Sequence, residues 1–289
     1  MSVETLPMLA PLPDWITATP PETLEVAAFR SGAALAHLDL ATVADSVPQA
    51  LWRDRLALAA AEVSAGIAGR REGAGTMRDA LHLTKAGDDP GPAGRILRQW
   101  SRAVSRPISV SNLGRTLEGV APERIALSLD ATGPTPVDRA AQVIEAVLAE
   151  SPRAETTALI LADAVLSLAL GRDHLLPLLG PVMTARDLRL RGDDLRLCCH
   201  RAAVRGVSQA LPLASTLARA AARLRAAVPK LRAKGAARAV ELFLSHDALA
   251  PATLDFMSDR AARRLCDRLV ALGAVRELTG RDTFRLYGV

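Results

Sequence analysis

Ser258-Asp259-Arg260-Ala261-Ala262-Arg263-Arg264-Leu265-Cys266-Asp267-Arg268-Leu269-Val270-Ala271-Leu272-Gly273 reads as a helix with both ends marked. Ser258 can accept from the free N–H groups of the first turn, and Gly273 can take the left-handed conformation that closes the last. Ala262, Leu265, Leu269 and Leu272 recur at helical spacing and predict a buried stripe. Arg260, Arg263, Arg264 and Asp267 then fall on the outward arc, with Arg268 on its flank.

Upstream, residues 235–245 form an apolar-striped helix and residues 250–256 a short connecting one. Downstream, residues 275–278 and 283–287 are strand-like runs around the polar turn Thr279-Gly280-Arg281-Asp282, which is what a hairpin needs. Helix, short helix, helix and hairpin is the order of a winged helix-turn-helix. In that module the N-terminal part of the second motif helix enters the major groove, which places Arg260, Arg263 and Arg264 to meet phosphates or guanine edges. In the wing, Phe284 and Leu286 alternate with Thr283, Arg285 and Tyr287. The expectation is that the phenyl ring packs on the helices while Arg285, with Arg281 at the tip, faces solvent or a nucleic-acid backbone. Two plainer readings compete: arginines on an exposed helix face are often merely solvated, and winged helices also dock proteins.

The 289 residues suffice for one large domain and a small one, and 49% apolar content supplies a core. Aromatics at 3%, with abundant Ala, Leu and Arg, suit closely packed helices rather than sheets. The net charge of +5 is unevenly placed: residues 223–289 hold 13 Lys or Arg against 7 Asp or Glu, so the basicity belongs to the tail. A local cationic patch favours a polyanionic partner, here double-stranded DNA. Cys198, Cys199 and Cys266 are too few for a disulfide framework. With no basic start and apolar run of a signal peptide, the expected compartment is cytoplasmic. The most apolar helix, near residues 157–170, is too short for a bilayer and carries Asp163, so no membrane role is expected.

The expected layout is an extended, proline-punctuated arm over residues 1–18 anchored by Trp15, an all-helical body over 19–229, and the winged helix over 230–289. Thr19-Pro20-Pro21-Glu22 predicts a capped helix to about Leu40, and Ser46-Val47-Pro48-Gln49 another to about Ala68. Further helices are expected near 76–84, from about 96 to 106, at 112–117 and at 122–129. Thr135-Pro136 and Ser151-Pro152 predict an antiparallel pair at 136–150 and 152–170. From Leu195 a helix runs to about Gln209, Pro212 interrupts or kinks it, and it resumes from Ala214 to Val228. Residues 230–235 read as a hinge.

Nearly the whole chain resembles the alphaproteobacterial family catalogued as domain of unknown function 1403. The resemblance rests on Pro11-Leu12-Pro13-Asp14-Trp15, on Leu83-Thr84 with Gly87-Asp88-Asp89-Pro90-Gly91-Pro92-Ala93-Gly94-Arg95, on residues 229–235, and on 275–281 with 284–288. The last segment is also similar to the winged-helix ends of Fic-type proteins and of a neighbouring plasmid-borne helix-turn-helix family. The resemblance implies a DNA-binding role in transcription control or maintenance of plasmid or mobile-element genes. The Fic catalytic loop is absent, so AMP transfer is not implied.

An enzymatic role has one candidate, the Asp88/Asp89 loop, whose carboxylates could hold a divalent cation while Arg95 faces an anion. Such Gly/Pro steps are also ordinary helix boundaries, and a P-loop lysine is missing. Cys198-Cys199-His200 cannot converge on one ion, because consecutive helical residues point about 100° apart; one buried thiol, one partly exposed thiol and a flanking histidine are expected. Trp15, Trp52 and Trp100 are expected as core anchors. The reading is therefore a mainly α, non-enzymatic protein without metal or cofactor. DNA contacts fall to Arg260, Arg263, Arg264, Arg268, Arg281 and Arg285, and the body serves a homodimer or a protein partner. The alternative is an assembly or scaffold protein whose winged helix docks another protein.

Overall fold

A computed structural model describes residues 10–84, 87–281 and 283–289. The helices run α1 (Asp14–Thr17), α2 (Leu24–Thr42), α3 (Gln49–Ile67), α4 (Ala74–His82), α5 (Gly91–Ser105), α6 (Val110–Gly114), α7 (Pro122–Leu129), α8 (Pro136–Glu150), α9 (Glu155–Ala169), α10 (Gly192–Ala227), α11 (Ala236–Phe243) and α12 (Asp259–Ala271). Strands β1 (Arg276–Glu277) and β2 (Tyr287–Gly288) pair antiparallel. The described chain is mainly helical, with one two-stranded sheet.

Every residue of α9 from Ala158 to Ser167 is buried, so this helix is the centre of the body. It packs on α8, α7, α3 and α5, while α10 lies across α2, α8 and α3. Burying a polar group requires a partner. Asp163, fully buried in α9, accepts from the backbone N–H groups of Leu178, Leu179 and Gly180 at 3.1, 2.8 and 2.9 Å. Burial pushes its carboxyl up to about 7. This carboxylate pins the 175–180 segment under α5, where Gly180 lies so close to Trp100 that a Cβ would fall 2.5 Å from the ring. No helix among the described residues is long and apolar enough to cross a membrane.

Several local expectations are corrected. Helix α2 is capped by Thr23, whose side chain accepts from Val26 N, and not by Thr19; α3 starts after Pro48 without a side-chain cap. Pro212 does not interrupt α10, which continues for 36 residues. Leu211 and Ala214 are buried on either side of it, and the Trp52 indole N–H donates to the Ala210 carbonyl at 3.1 Å, so packing on α3 holds the helix through the missing bond. Trp52 and Trp100 are core residues, but Trp15 is 48% exposed and stacks on Phe29 instead.

A second core gathers the last turns of α10 (Ala221, Leu224, Ala227) with α11, α12 and the hairpin. After α11 the chain forms an isolated bridge between Leu249 and Tyr287, then a three-residue 3-10 turn, Pro251–Thr253, where a longer helix was expected. The strands are two residues each, shorter than expected, and Phe284, expected within the second strand, instead adopts a left-handed φ of 55°. That residue reverses the alternation: Phe284 is 74% exposed, while Leu286 and Tyr287, adjacent in sequence, are both buried. The phenyl ring therefore does not pack on the helices as expected.

A buried ionic cluster seats the tail on the body. Asp247 is ion-paired to Arg55 of α3 and Arg78 of α4. Its backbone N–H donates to Asp54 at 2.9 Å, and Arg55 also donates to the Val289 carbonyl at 2.9 Å. Burial holds the Asp54 carboxyl above its ordinary range.

Candidate nucleic-acid interface

Helix α12 has the ends and stripe that its sequence predicts. Ser258 Oγ accepts from Ala261 N at 3.4 Å, and Gly273 closes the helix with φ 62°. Ala262, Leu265 and Leu269 are buried in the second core together with Cys266, and Leu272 is half-buried. This packing fixes which side of the helix looks outward.

Arg260, Arg263, Arg264 and Arg268 are all exposed on that outward side. Arg263 pairs with Asp259 one turn back, at 2.8 Å. Among the described residues no carboxylate pairs with Arg260, Arg264 or Arg268. Arg264 and Arg268 line a cleft of about 1060 Å³ whose opposite wall is the segment entering α11. Among the described residues its charged lining is Lys230, Arg232, Lys234, Arg238, Arg264 and Arg268, with no carboxylate. Gly235 stands at the turn with φ 91°, and a Cβ there would lie 2.9 Å from the Phe256 ring, so only glycine fits. Arg238 sits over that ring, 4.3 Å from its centroid, with Asp255 at 3.9 Å.

The four cations from Lys230 to Arg238 were not among the sequence-derived site residues, since Lys230-Leu231-Arg232-Ala233-Lys234 reads as a hinge. The signal was present as charges on alternate residues. What sequence alone does not supply is the wall of α12 that they face.

The other flank of α12 is mixed in charge. There a cleft of about 700 Å³ brings Arg263 and Arg285 together with Asp259, Asp267 and the exposed Phe284. Arg285 donates from Nε to the Arg281 carbonyl at 2.8 Å, and its hydrogen bond with Tyr287 holds its guanidinium above the ordinary range. Arg281 was expected to face solvent or a phosphate; it is ion-paired to Asp79 of α4 and helps bind the hairpin to the body. Glu277 accepts from the N–H groups of Thr279 and Gly280, at 2.6 and 3.0 Å, and this sets the turn.

The chain belongs to the DUF1403 family of proteins of unknown function. The family model matches residues 1–289. No curated protein and no solved structure matches the chain.

Two constellations in this DUF1403 chain bear on catalysis. In the Asp88/Asp89 loop, Asp89 accepts from Gly91 N at 3.0 Å and pairs with Arg95, so its carboxylate closes the turn that opens α5. Among the described residues no group of three His, Cys, Asp or Glu is arranged to hold a metal ion. The second constellation was not read from sequence. Ser31 Oγ lies 2.7 Å from His200 Nδ1, and His200 Nε2 lies 3.5 Å from Asp138 Oδ1. The residue types are those of a hydrolytic triad, but all three are at most 2% exposed, so no substrate reaches the hydroxyl. Asp138 is also engaged by Arg196 at 2.8 Å and Thr135 at 2.7 Å, and burial lowers the affinity of His200 for a proton. The chain Ser31, His200, Asp138 ties α2, α10 and α8 together.

Cys198 and Cys199 are both buried, correcting the expectation of one partly exposed thiol. Burial pushes the Cys198 thiol up to about 11 and Cys266 up to about 12. At neutral pH neither is a thiolate, and the thiolate is the nucleophile.

Proposed function

We propose that this protein binds duplex DNA through a C-terminal winged helix-turn-helix, as a regulator or maintenance factor of plasmid or mobile-element genes. The element order supports the winged-helix reading: α11, a bridge strand at Leu249, a 3-10 turn, α12, then a hairpin whose second strand pairs with both β1 and Leu249. In this reading α12 enters the major groove with Arg260 leading, and Arg264 and Arg268, which line the cleft, reach toward the backbone.

One observation carries it: the cationic face of α12 continues into a cleft that, among the described residues, is lined by six cationic side chains and no carboxylate. Like charges held this close repel one another, and a polyanion relieves that repulsion while releasing its own counterions. Lys230, Arg232, Lys234 and Arg238 are the residues assigned to the phosphate backbone on that side. Arg281 and Arg285 are engaged by the protein itself, and in this reading α12 and the cleft, rather than the hairpin tip, make the main contacts.

The test is a titration of labelled duplex at several salt concentrations, followed by anisotropy. Binding that weakens steeply as salt rises supports the reading, because each neutralised phosphate contributes to the slope. Weak binding indifferent to salt would sink it. A protein-docking role is favoured by one separate feature, the exposed Phe284 in a cleft of mixed charge, and it predicts that Phe284→Ala abolishes partner capture while DNA binding is absent throughout.

A further inference from the structure

Helix α2 is apolar on two sides. One side, with Ala27, Ala34, Leu35, Leu38 and Ala41, is buried in the body, where the helix packs on α10. On the other, Val26, Phe29, Ala33, Ala36, Leu40 and Val43 follow one another at steps of three, four, three, four and three residues. That is the spacing of a coiled-coil seam. Its large members lie open: Val26 is 43% exposed, Phe29 68%, Leu40 60% and Val43 78%. Trp15 extends the patch, stacked on Phe29 with ring centroids 5.5 Å apart.

We propose that this seam joins two copies of the chain, α2 against α2 of the second copy, about a twofold axis. Three observations select a second copy as the occupant. First, the seam carries no charged side chain, so an acidic or basic partner finds nothing complementary in it. Second, it is symmetric in size about its midpoint: Val26 and Phe29 at one end, Leu40 and Val43 at the other, Ala33 and Ala36 between. Large therefore meets large and small meets small whichever way the second helix runs, and the central alanines let the backbones approach. An isologous interface demands this self-complementarity. Third, Trp15, Val26, Phe29, Leu40 and Val43 stand open in one contiguous apolar patch, where an ordinary monomer surface leaves such residues scattered singly.

The proposal is independent of DNA binding and is tested without it. Light scattering on the full chain at tens of micromolar is expected to give twice the 30.5 kDa chain mass. Phe29→Glu with Leu40→Glu is expected to halve it, with circular dichroism and thermal midpoint close to the parent. Val43→Glu alone, at the most open position, weakens the dimer without touching the body's core and serves if the double variant misfolds. A monomeric parent overturns the proposal, as does a dimer that survives the substitutions. If removing residues 1–9 turns a monomer into a dimer, the chain's own arm is the occupant and the proposal again fails.

Discussion

Asp247, in the loop after α11, is clasped by Arg78 of α4, whose Nη2 donates to Oδ1 at 3.0 Å across 169 residues of sequence. Arg55 closes on the same carboxylate, and all three side chains are at most 14% exposed. The tail is thereby seated on the body through charges that have left water together.

Breaking one member of such a cluster leaves the others buried and unpaired, which costs about 3–5 kcal/mol. Asp247→Ala should lower stability by that order in urea unfolding, and speed proteolytic cleavage in residues 228–235. A variant with the parent's midpoint would show that the cluster contributes nothing net.

Asp163 should be as sensitive. With Asp163→Ala, three buried N–H groups lose their acceptor, each worth about 1–3 kcal/mol. The expected result is a protein that is largely unfolded or expressed insoluble. Urea unfolding of any soluble fraction is the measurement.

Gly206 in α10 faces the 178 carbonyl, and a Cβ there would lie 2.2 Å from that oxygen. Helix propensity alone favours alanine by about 1 kcal/mol. Overpacking wins: Gly206→Ala should destabilise by about 1–3 kcal/mol, read from the thermal or urea midpoint. A stabilised variant would mean that α10 and the 178–180 segment are free to part.

His200 gives a pH dependence with a definite sign. Burial lowers its proton affinity in the folded state, so on acidification the unfolded chain takes up a proton before the folded chain does. Its contribution is full above the ordinary histidine range and is lost as pH falls through about 6.5 toward the lower folded value. The stability of the parent relative to His200→Gln should therefore shrink between pH 7 and pH 5. Taking that difference removes the opposite trend of Asp54 and Asp163, whose raised values favour the folded state at low pH.

What could be read from sequence follows from the range of the interactions involved. Thr135-Pro136 and Ser258 with Gly273 are local signals, and α8 and α12 form where those signals stand. Thr19 and Thr23 offer the same local chemistry, and which of them caps α2 depends on where the helix docks. Pro212 has a local penalty that burial on both sides outweighs. The meeting of Ser31 with His200, or of Arg78 with Asp247, spans 169 residues in each case and leaves no periodicity to read. The outward direction of the α12 arginines was legible because amphipathic spacing fixes it. The opposing wall was not, because residues 230–235 gain meaning only beside α12. Phe284 was misplaced because alternation assumes an unbroken strand.

The central claim is that Arg264 and Arg268, with which no carboxylate pairs among the described residues and which line the cationic cleft, contact phosphates. Its most direct test is the slope of log binding constant against log salt for a fixed duplex, in the parent, in Arg264→Ala with Arg268→Ala, and in Arg281→Ala. The double variant should lose about two units of slope, one for each phosphate contact, while Arg281→Ala, whose guanidinium is tied to Asp79, should keep the parent's slope. A double variant with the parent's affinity and slope would contradict the account.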